Sequence, residues 1–443
     1  MAGKPPVSPS SSAPASSAPG SPPAAGAAPA VKKPTAPPAA KSPGAAPATP
    51  AIPGPPVPRL KSIDAYRGFV MFLMLAEVLH LGVVAAKFPE NQVLATLAQH
   101  QKHAAWTGCT LHDLIQPSFS FIVGLALPFS LLSRASLAQS RFRLVFHALW
   151  RSVVLVLLGI FLRSIRSPMT NFTFEDTLTQ IGLGYTFLFL IALRPMRDQW
   201  ILLVLILVGY FGAFAAYPVP GEGFDPAALG IPNDYQQFTG FAAHWNKHTN
   251  LAAHFDRWFL NLFPRPEPFT VNQGGYCTLS FIPTLGTMIL GLIAGGILKS
   301  DRTNGRKVLW FLVAGGIMMG IGYALGHFQI CPVVKKIWTP SWTLFSGGWC
   351  FLLLTFFFMV IDWAKFAFWS FPLRVIGMNS IAAYCMDWLF LGFIGTALVR
   401  HFGSDVFLKA GEEWQPLLFG GAQLLVIWLL LLWLYRNKAF LRI

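Results

Sequence analysis

Long apolar runs alternate with short polar segments along the chain from Arg67 onward. Each run is roughly 17–25 residues long, the length that a helix needs to cross the hydrocarbon core of a bilayer. The pattern predicts an all-α polytopic membrane protein, a bundle of about ten transmembrane helices. The predicted ranges are 67–87, 113–132, 145–163, 177–193, 199–217, 277–298, 307–326, 342–362, 373–398 and 416–435. The short range 177–193 and the long range 373–398 fit that length least well.

The composition agrees with a membrane solvent. The 443 residues are 54% hydrophobic and 12% charged, whereas soluble domains carry about a quarter charged residues. The 5 cysteines show neither a CxxC pair nor the spacing of metal ligands. Neither a disulfide framework nor a metal cofactor is therefore expected.

Residues 1–58 differ from the rest, because Ala, Pro, Ser and Gly dominate them with scattered lysines. Such a segment cannot bury enough apolar surface to offset the entropy lost on ordering. We predict a disordered tail at 1–58, followed by one membrane domain at 59–443.

The formal charge of +15 would suit a nucleic-acid ligand, but its distribution indicates topology instead. With the N-terminus inside, about 22 of the 33 Lys and Arg residues fall on the inner side, as the positive-inside rule requires. An even number of spans puts both termini on that side. The prediction is N-in and C-in, with anionic lipid as the partner of this charge and no nucleic acid.

The segment 218–276 is the longest predicted loop and lies outside in this topology. It is rich in Pro, Asn, His and Trp, and long loops of this kind often carry binding sites. Asn250 and Asp256 are its candidate substrate-binding residues.

Every histidine except His147 falls outside the membrane or in the outer half of a predicted helix. Histidine changes its protonation near neutral pH, so the pattern predicts a proton-transfer site on the outer face. The segment KHAAWTGCTLHDLIQPSF concentrates this chemistry in His103, His112 and Asp113. Asp113 could cap the helix that follows or orient a histidine. Trp106 is predicted to be an anchor at the membrane interface.

Glu77 is predicted to lie in the middle of the first helix. An ionisable group at that depth costs on the order of 3 kcal/mol, and His80, three residues later, shares its helix face. The two could form a buried acid–imidazole pair. Alternatively, Glu77 neutralises a nearby arginine or is protonated and hydrogen-bonded.

The segment RLKSIDAYRG precedes this helix. Ser62 or Asp64 could cap the helix, and Arg67 could anchor it on the inner side. In the alternative interpretation, Asp64 and Arg67 line an inner pocket for an anionic cofactor.

Two further helix patterns are informative. Ser380, Tyr384 and Asp387 recur at spacings that place them on one face, next to Asn379, and could bond neighbouring helices or form a site. The four-residue spacing of the glycines in GGIMMGIGYALG (Gly316 and Gly320) predicts close helix packing.

Several stretches together resemble the heparan-α-glucosaminide N-acetyltransferase family and its bacterial relatives. They cover most of the chain from Arg59 to about Leu434 and occur in the family's order. The stretches are RLKSIDAYRGFVMFLM, KHAAWTGCTLHDLIQPSFSFIVGLALPFS, TLSFIPTLGTMILGLIAG, KKIWTPSWTLFSGGW and VIGMNSIAAY.

The resemblance implies transfer of an acetyl group from cytosolic acetyl-CoA to an amine or hydroxyl of an external saccharide. The family's catalytic histidine, in the motif H-A-x-W-x-G, falls on His103, and the motif D-L-x-x-P begins at Asp113. An imidazole could act as a base or carry the acetyl group, and Asn379 or a backbone N–H near Gly108 could stabilise the oxyanion.

The complete set of predicted site residues has three parts. The catalytic candidates are His103, Asp113, Glu77 and Asn379. The phosphates of CoA would need cations beside them. The candidates for CoA binding are therefore Arg67, Arg134, Arg141, Arg143 and Arg306, together with the acid Asp64. The acceptor candidates are His80, Trp106, His112, Asn250 and Asp256.

The chain departs from the family at two acceptor-side positions. Relatives often carry an asparagine where this chain has Val78, and an acidic D-P-E-G run where it has NQGGYCTLSF. The resemblance therefore predicts acetyl transfer more firmly than it predicts a particular acceptor. It also favours a bacterial inner membrane, and the sequence leaves a homodimer open.

Two other functions stay open. In a proton-coupled small-molecule transporter, Glu77 and Asp387 would relay protons, although no inverted repeat is visible between the two halves. An inactive scaffold would tolerate replacement of His103.

Overall fold

The computed structural model describes residues 60–135, 140–221, 223–232 and 237–441. The predicted tail at 1–58 lies outside these residues. Regular structure in the described part is helical throughout, and Thr107 and Val334 form one isolated antiparallel bridge. The predicted all-α class is confirmed.

Fourteen α-helices follow one another along the described residues, joined in places by short 3₁₀ turns. They are α1 Lys61–Leu75, α2 Leu81–Lys87, α3 Gln92–His100, α4 Ile115–Ala135, α5 Arg141–Ser164, α6 Thr177–Ala192, α7 Met196–Ala216, α8 Leu251–Phe259, α9 Phe281–Lys299, α10 Asn304–His327, α11 Pro340–Phe357, α12 Phe371–Met378, α13 Ser380–Phe402 and α14 Gln415–Arg436.

Among the described residues, 8 helices are long and apolar enough to cross a membrane, or up to 9 if the bent pair α1 and α2 forms one span. The predicted range 177–193 corresponds to α6, which has 16 residues and is shorter than those spans. The range 373–398 is not one helix, because α12 ends at Met378 and Asn379 separates it from α13. These 8 or 9 spans and the shorter apolar helix α6 compare with the about ten spans predicted.

Helix α9 lies at the centre of the bundle. In its apolar stretch 83% of the residues are buried, compared with at most 56% in the other long spans. Glycines let α4 and α9 approach closely. A Cβ on Gly291 would lie 1.8 Å from the carbonyl oxygen of Phe121, and one on Gly124 would lie 1.9 Å from that of Met288. Small residues allow such backbone contacts in membranes, and this contact fixes α4, which begins two residues after Asp113.

The prediction for the α10 glycines is wrong in its details. A Cβ on Gly316 or Gly320 would meet nothing within 4 Å, whereas a Cβ on Gly322 would lie 2.7 Å from the carbonyl oxygen of Ser341. Helix α10 therefore packs on α11 through a different face, which includes Gly315 and Gly322.

The start of α1 is capped from a distant part of the chain. The Asp362 carboxylate accepts hydrogen bonds from the backbone N–H groups of Lys61, at 3.2 Å, and Ser62, at 3.1 Å. The predicted local cap by Ser62 or Asp64 is wrong, because neither caps α1 with its side chain. We call the end of the bundle where α1 begins the α1 end. We call the opposite end, beyond Leu75, the His103 end.

Candidate active site

Asp113 organises the loop between α3 and α4. Its carboxylate is 1% exposed, and its Oδ2 accepts the backbone N–H groups of Ala104 at 3.0 Å and Thr110 at 3.1 Å. Its Oδ1 lies 2.8 Å from Nδ1 of His103. One buried carboxylate thus folds the loop and fixes the histidine.

The same loop is tied to the segment before α11. Gly108 donates its N–H to the carbonyl of Val333 at 3.1 Å, beside the bridge between Thr107 and Val334. Gly108 has a φ of 109°, which only glycine adopts readily. This connection places Lys335 next to His103.

Lys335 is the most consequential site residue that the sequence did not reveal. Its Nζ lies 3.2 Å from Oδ1 of Asp113 and 3.1 Å from Nδ1 of His103. Its side chain is 6% exposed. It lies in the motif KKIWTPSW, where no site residue was predicted.

A second carboxylate–histidine pair adjoins the first. Nε2 of His112 lies 2.8 Å from Oε1 of Glu77, and the rings of His112 and His103 have their centroids 4.5 Å apart. The predicted partnership of Glu77 with His80 is wrong. Helix α1 ends in a 3₁₀ turn at Ala76–Leu79, and His80 turns the chain with a φ of 46°.

Glu77 is therefore at the end of a helix rather than in its middle, and 58% of its side chain is exposed. The exposed His80 lines a surface cavity with Lys87 and Lys102, and Glu77 lines this cavity as well. His80 shares no contact with the His103 pair in this arrangement.

The surroundings favour a neutral His103 ring. Burial is the main cause that lowers the pKa of His103, and the Lys335 charge lowers it further, against the opposing effect of Asp113. Burial also lowers the pKa of Lys335, while Asp113 raises it. A neutral imidazole with Nδ1 bound to a carboxylate has the form of a general base.

His103 and His112 face a cavity of about 390 Å³ at the His103 end. Its other polar walls come from seven separate parts of the chain: Glu77, Gln116, Arg163, Glu175, Asp176, Thr177, Asn272, Tyr276, Lys335, Tyr384 and Asp387. Burial raises the pKa values of Glu175 and Tyr276. The carboxylates before α6, in FEDTLTQ, could have been noticed as acids at the start of an apolar run.

A second cavity of about 330 Å³ lies towards the α1 end. Arg67 and Arg151 line it together with apolar side chains of α1, α4 and α6, and Nη1 of Arg151 donates to the Tyr185 hydroxyl at 3.0 Å. Thr177 and Tyr384 line both this cavity and the one at His103. A cation inside the apolar run of α5 was the signal for Arg151.

Asp64, Arg143 and Arg306 are not among the residues that line this cavity. Asp64 is buried at the start of α1, with Oδ1 3.9 Å from Nη1 of Arg67. Arg143 and Arg306 are exposed at the first turns of α5 and α10. For Arg134, near the end of α4, and Arg141, at the start of α5, only the backbone is described.

Trp106 and Asn250 belong to the scaffold. Trp106 is 2% exposed and its Nε1 donates to the carbonyl of Trp245 at 3.2 Å, so its predicted place at the membrane interface is wrong. The Asn250 side chain caps α8 by accepting the N–H of Ala253 at 3.0 Å.

Asp256 is buried as well, and its Oδ2 accepts the N–H of Thr278 at 2.9 Å. Burial raises the pKa of Asp256 to about 7. Asp256 lines a third cavity, of about 260 Å³, which shares Glu175, Asn272 and Tyr276 with the His103 cavity. Of the two predicted residues in the 218–276 segment, Asp256 is the one placed beside the candidate site.

Asn379, one of the two predicted kinds of oxyanion donor, is not placed at His103. Asn379 lies at the α1 end, where its Oδ1 accepts the N–H of Leu441 at 3.2 Å. The N–H of Gly108 is already bonded to Val333. Side chains that can donate and that line the cavity are Gln116, Asn272 and Tyr276.

Two curated proteins match the chain over most of its length, whereas no family model matches it. The chain is 26% identical over 431 residues to the heparan-alpha-glucosaminide N-acetyltransferase of Homo sapiens. The alignment covers 87% of this chain and 60% of the human protein. It is 22% identical over 433 residues to that of Mus musculus, with the same coverage. The chain thus spans about 60% of the length of these relatives. Over most of its length the chain is thus similar to heparan-alpha-glucosaminide N-acetyltransferases.

Proposed function

We propose that this protein is a membrane acetyltransferase that moves an acetyl group from acetyl-CoA to an amine or hydroxyl of a sugar. The observation that carries this function is the Asp113–His103 pair at 2.8 Å. The pair lies beside a cavity that shares Thr177 and Tyr384 with a second cavity towards the α1 end. The names of the two relatives supply the class of reaction and suggest a saccharide acceptor.

The geometry of the pair supports His103 as the base. Nδ1 of His103 is engaged by Asp113, so Nε2 is the nitrogen that remains to accept a proton. In direct transfer, Nε2 takes the proton of the acceptor as the acceptor attacks the thioester carbonyl. The C–S bond then breaks and CoA leaves as a thiolate, which takes up the proton.

In the alternative route, Nε2 attacks the thioester itself and forms an acetyl-histidine, with CoA leaving as the thiolate. The acceptor then displaces the imidazole and loses its proton. A mass increase of one acetyl group on the peptide that contains His103, trapped before acceptor is added, distinguishes this route from direct transfer.

The cavity towards the α1 end suits the donor. Its apolar walls match a narrow pantetheine arm, and Arg67 and Arg151 supply cations for phosphate or polar groups. A donor bound there would present its thioester near Thr177 and Tyr384, at the boundary with the His103 cavity. Arg151 is therefore proposed to contact the donor, in place of the predicted Arg143 and Arg306.

The cavities at the His103 end suit a sugar. Their walls combine carboxylates, amides and aromatic rings, which are represented by Glu175, Asn272 and Tyr276. Such sites orient a polyhydroxylated ligand through a few placed polar groups.

The first test uses purified protein in detergent with radiolabelled acetyl-CoA and a panel of amino sugars. We expect the wild type to release CoA and His103→Ala to lose about 10²–10⁴-fold in rate. His327→Ala, at an exposed histidine near the end of α10, is the matched control and should retain the wild-type rate. A wild type that neither binds nor consumes acetyl-CoA would refute the proposal.

A proton-coupled transporter is the second candidate, because Glu77 and Asp387 line the same cavity as the two histidines. Reconstituted vesicles would then accumulate solute in response to a pH gradient without consuming acetyl-CoA. Solute accumulation without CoA release would favour this function over acetyl transfer.

A further inference from the structure

Lys335 occupies an unusual position for a lysine. It lies between α10 and α11 with 6% of its side chain exposed, and burying an ammonium group is costly unless it is paired. Its Nζ donates to Oδ1 of Asp113 and lies 3.1 Å from Nδ1 of His103, so it contacts both members of the proposed catalytic pair. A lysine needed only for membrane orientation would extend into water.

The contacts among Lys335, Asp113 and His103 limit where their protons can lie. An ammonium group has three donors and no acceptor. Oδ1 of Asp113 accepts from Nζ of Lys335 at 3.2 Å and faces Nδ1 of His103 at 2.8 Å. The arrangement is most favourable when Nδ1 carries a hydrogen that it donates to Asp113, which leaves the lone pair on Nε2.

We propose that Lys335 is a positioning residue that holds the Asp113 carboxylate against His103 and keeps the imidazole neutral, with Nε2 as the acceptor. The role rests on the proposed acetyl transfer for its catalytic meaning. Its effect on His103 itself can be measured without that reaction.

Charge reasoning supports the role. A cation 3.1 Å from Nδ1 opposes protonation of the ring, and Lys335 contributes to the lowered pKa of His103 after burial itself. Without Lys335, Asp113 would face the ring unopposed and would stabilise the imidazolium.

Other groups also act on the ring. Asp113 and His112 face it from the start of α4, and Tyr276 packs edge-on from the segment before α9. Glu77 interacts with it electrostatically from the end of α1. Lys335 is the only cation within hydrogen-bond distance of the ring in the part of the chain that the structure describes.

The experiment follows the protonation of His103 directly. Diethylpyrocarbonate acylates the neutral imidazole, so the pH midpoint of modification of the His103 peptide, measured by mass spectrometry, reports its pKa. We expect Lys335→Met to raise this midpoint by about one pH unit, while Lys335→Arg keeps it near the wild-type value. Lys336→Met is the matched control, because Lys336 bonds to the carbonyl of Ala105 instead.

The acidic limb of acetyl-CoA turnover should move in parallel. A base loses activity as pH falls through its pKa, so a higher pKa in Lys335→Met shifts the acidic limb to higher pH. An unchanged midpoint in Lys335→Met, or an equal shift in Lys336→Met, would overturn the role of Lys335.

If Lys335→Met does not fold because the Asp113 carboxylate has lost its cation, a second pair of variants tests the same role. Asp113→Asn and Asp113→Asn/Lys335→Met both lack the carboxylate charge, and the double variant should have the higher midpoint. Equal midpoints in these two variants would also overturn the proposal. If the wild type shows no turnover, acetyl transfer fails as the function, whereas the modification midpoints still decide the role of Lys335.

Discussion

Asp113 serves both the fold of its loop and the orientation of His103. Asp113→Asn retains an oxygen for the N–H groups of Ala104 and Thr110 but loses the charge that faces Nδ1 of His103. We expect acetyl-CoA turnover to fall by about 10²–10⁴-fold, with folded protein still recovered.

Turnover and gel-filtration elution check this prediction together. Asp405→Asn, in an exposed loop before α14, is the control and should behave as the wild type. Full turnover by the Asp113 variant would show that the carboxylate acts only in loop folding.

Asp256 is predicted to make stability depend on pH. Burial raises its pKa from 3.8 to about 7 in the folded protein, so unfolding releases a proton between these values and stability falls as pH rises through this window. At one pKa unit per 1.36 kcal/mol, the effect is on the order of 4 kcal/mol at most. Asp256→Asn should reduce the loss of melting temperature between pH 4 and 7.

Melting curves in detergent at several pH values measure this effect. Desolvation also raises the pKa values of half-buried Glu175 and buried Asp176. Both contribute a slope of the same sign, so the comparison with wild type isolates Asp256. Glu90→Gln, at an exposed loop position, should leave the slope unchanged. An identical slope in Asp256→Asn would contradict the prediction.

Residue types and spacing predicted that Asp113 could orient a histidine, and the family resemblance pointed to His103; the two side chains lie in one loop, 2.8 Å apart. Residue types and spacing were not enough for Lys335, whose partners lie 222 and 232 positions away. Trp106 and Asn250 show the opposite error, since their polar groups satisfy buried backbone groups. Tertiary contacts decide which polar residue faces a cavity, and composition does not encode them.

The contact between α4 and α9 should be intolerant of any side chain at Gly291. A Cβ there would lie 1.8 Å from the Phe121 carbonyl oxygen, so Gly291→Val must separate the two helices. We expect destabilisation of about 1–3 kcal/mol or more and displacement of α4, which begins two residues after Asp113.

The melting temperature and the yield of monodisperse protein test this effect. Gly316→Val on α10 is the matched control, because a Cβ there meets nothing within 4 Å and both changes place valine inside a helix. Equal stability of the two variants would contradict the close contact of α4 and α9.

Thr177, the first residue of α6, forms part of the boundary between the two cavities. Thr177→Trp should obstruct this boundary and reduce acetyl-CoA turnover about tenfold or more, since small displacements of reacting groups are costly. Binding of acetyl-CoA in the cavity lined by Arg67 and Arg151 should persist, as measured by thermal shift.

Thr396→Trp on the exposed face of α13 controls for the added indole. Unchanged turnover in Thr177→Trp would mean that the donor reaches His103 by another path.

At the scale of elements, apolar run length predicted where the helices lie but not where they break. The turn at His80 and the break at Asn379 both fall inside continuous apolar runs. Packing stabilises these breaks: a Cβ on Gly420 would lie 2.0 Å from the carbonyl oxygen of Val78, and one on Gly377 would lie 1.9 Å from that of Asp64. Hydrophobicity alone does not predict such contacts.

The whole molecule places the proposed donor cavity and the His103 site towards opposite ends of one bundle. Asn379 bonds to the N–H of Leu441 at the α1 end, so the start of α1 and the residues after α14 lie on the same side. The excess of Lys and Arg at this end predicts that it faces the cytoplasm, where acetyl-CoA is made. The sugar would then be modified on the far side.

Cysteine labelling tests this orientation in a background without the native cysteines. Asp301→Cys, after α9, reports the α1 end, and Glu90→Cys, between α2 and α3, reports the His103 end; both positions are exposed. In intact bacterial cells, a membrane-impermeant maleimide should label Glu90→Cys and leave Asp301→Cys unlabelled until the cells are lysed. The reverse pattern would place His103 in the cytoplasm, and the acceptor would then have to be sought among cytoplasmic amines and sugars.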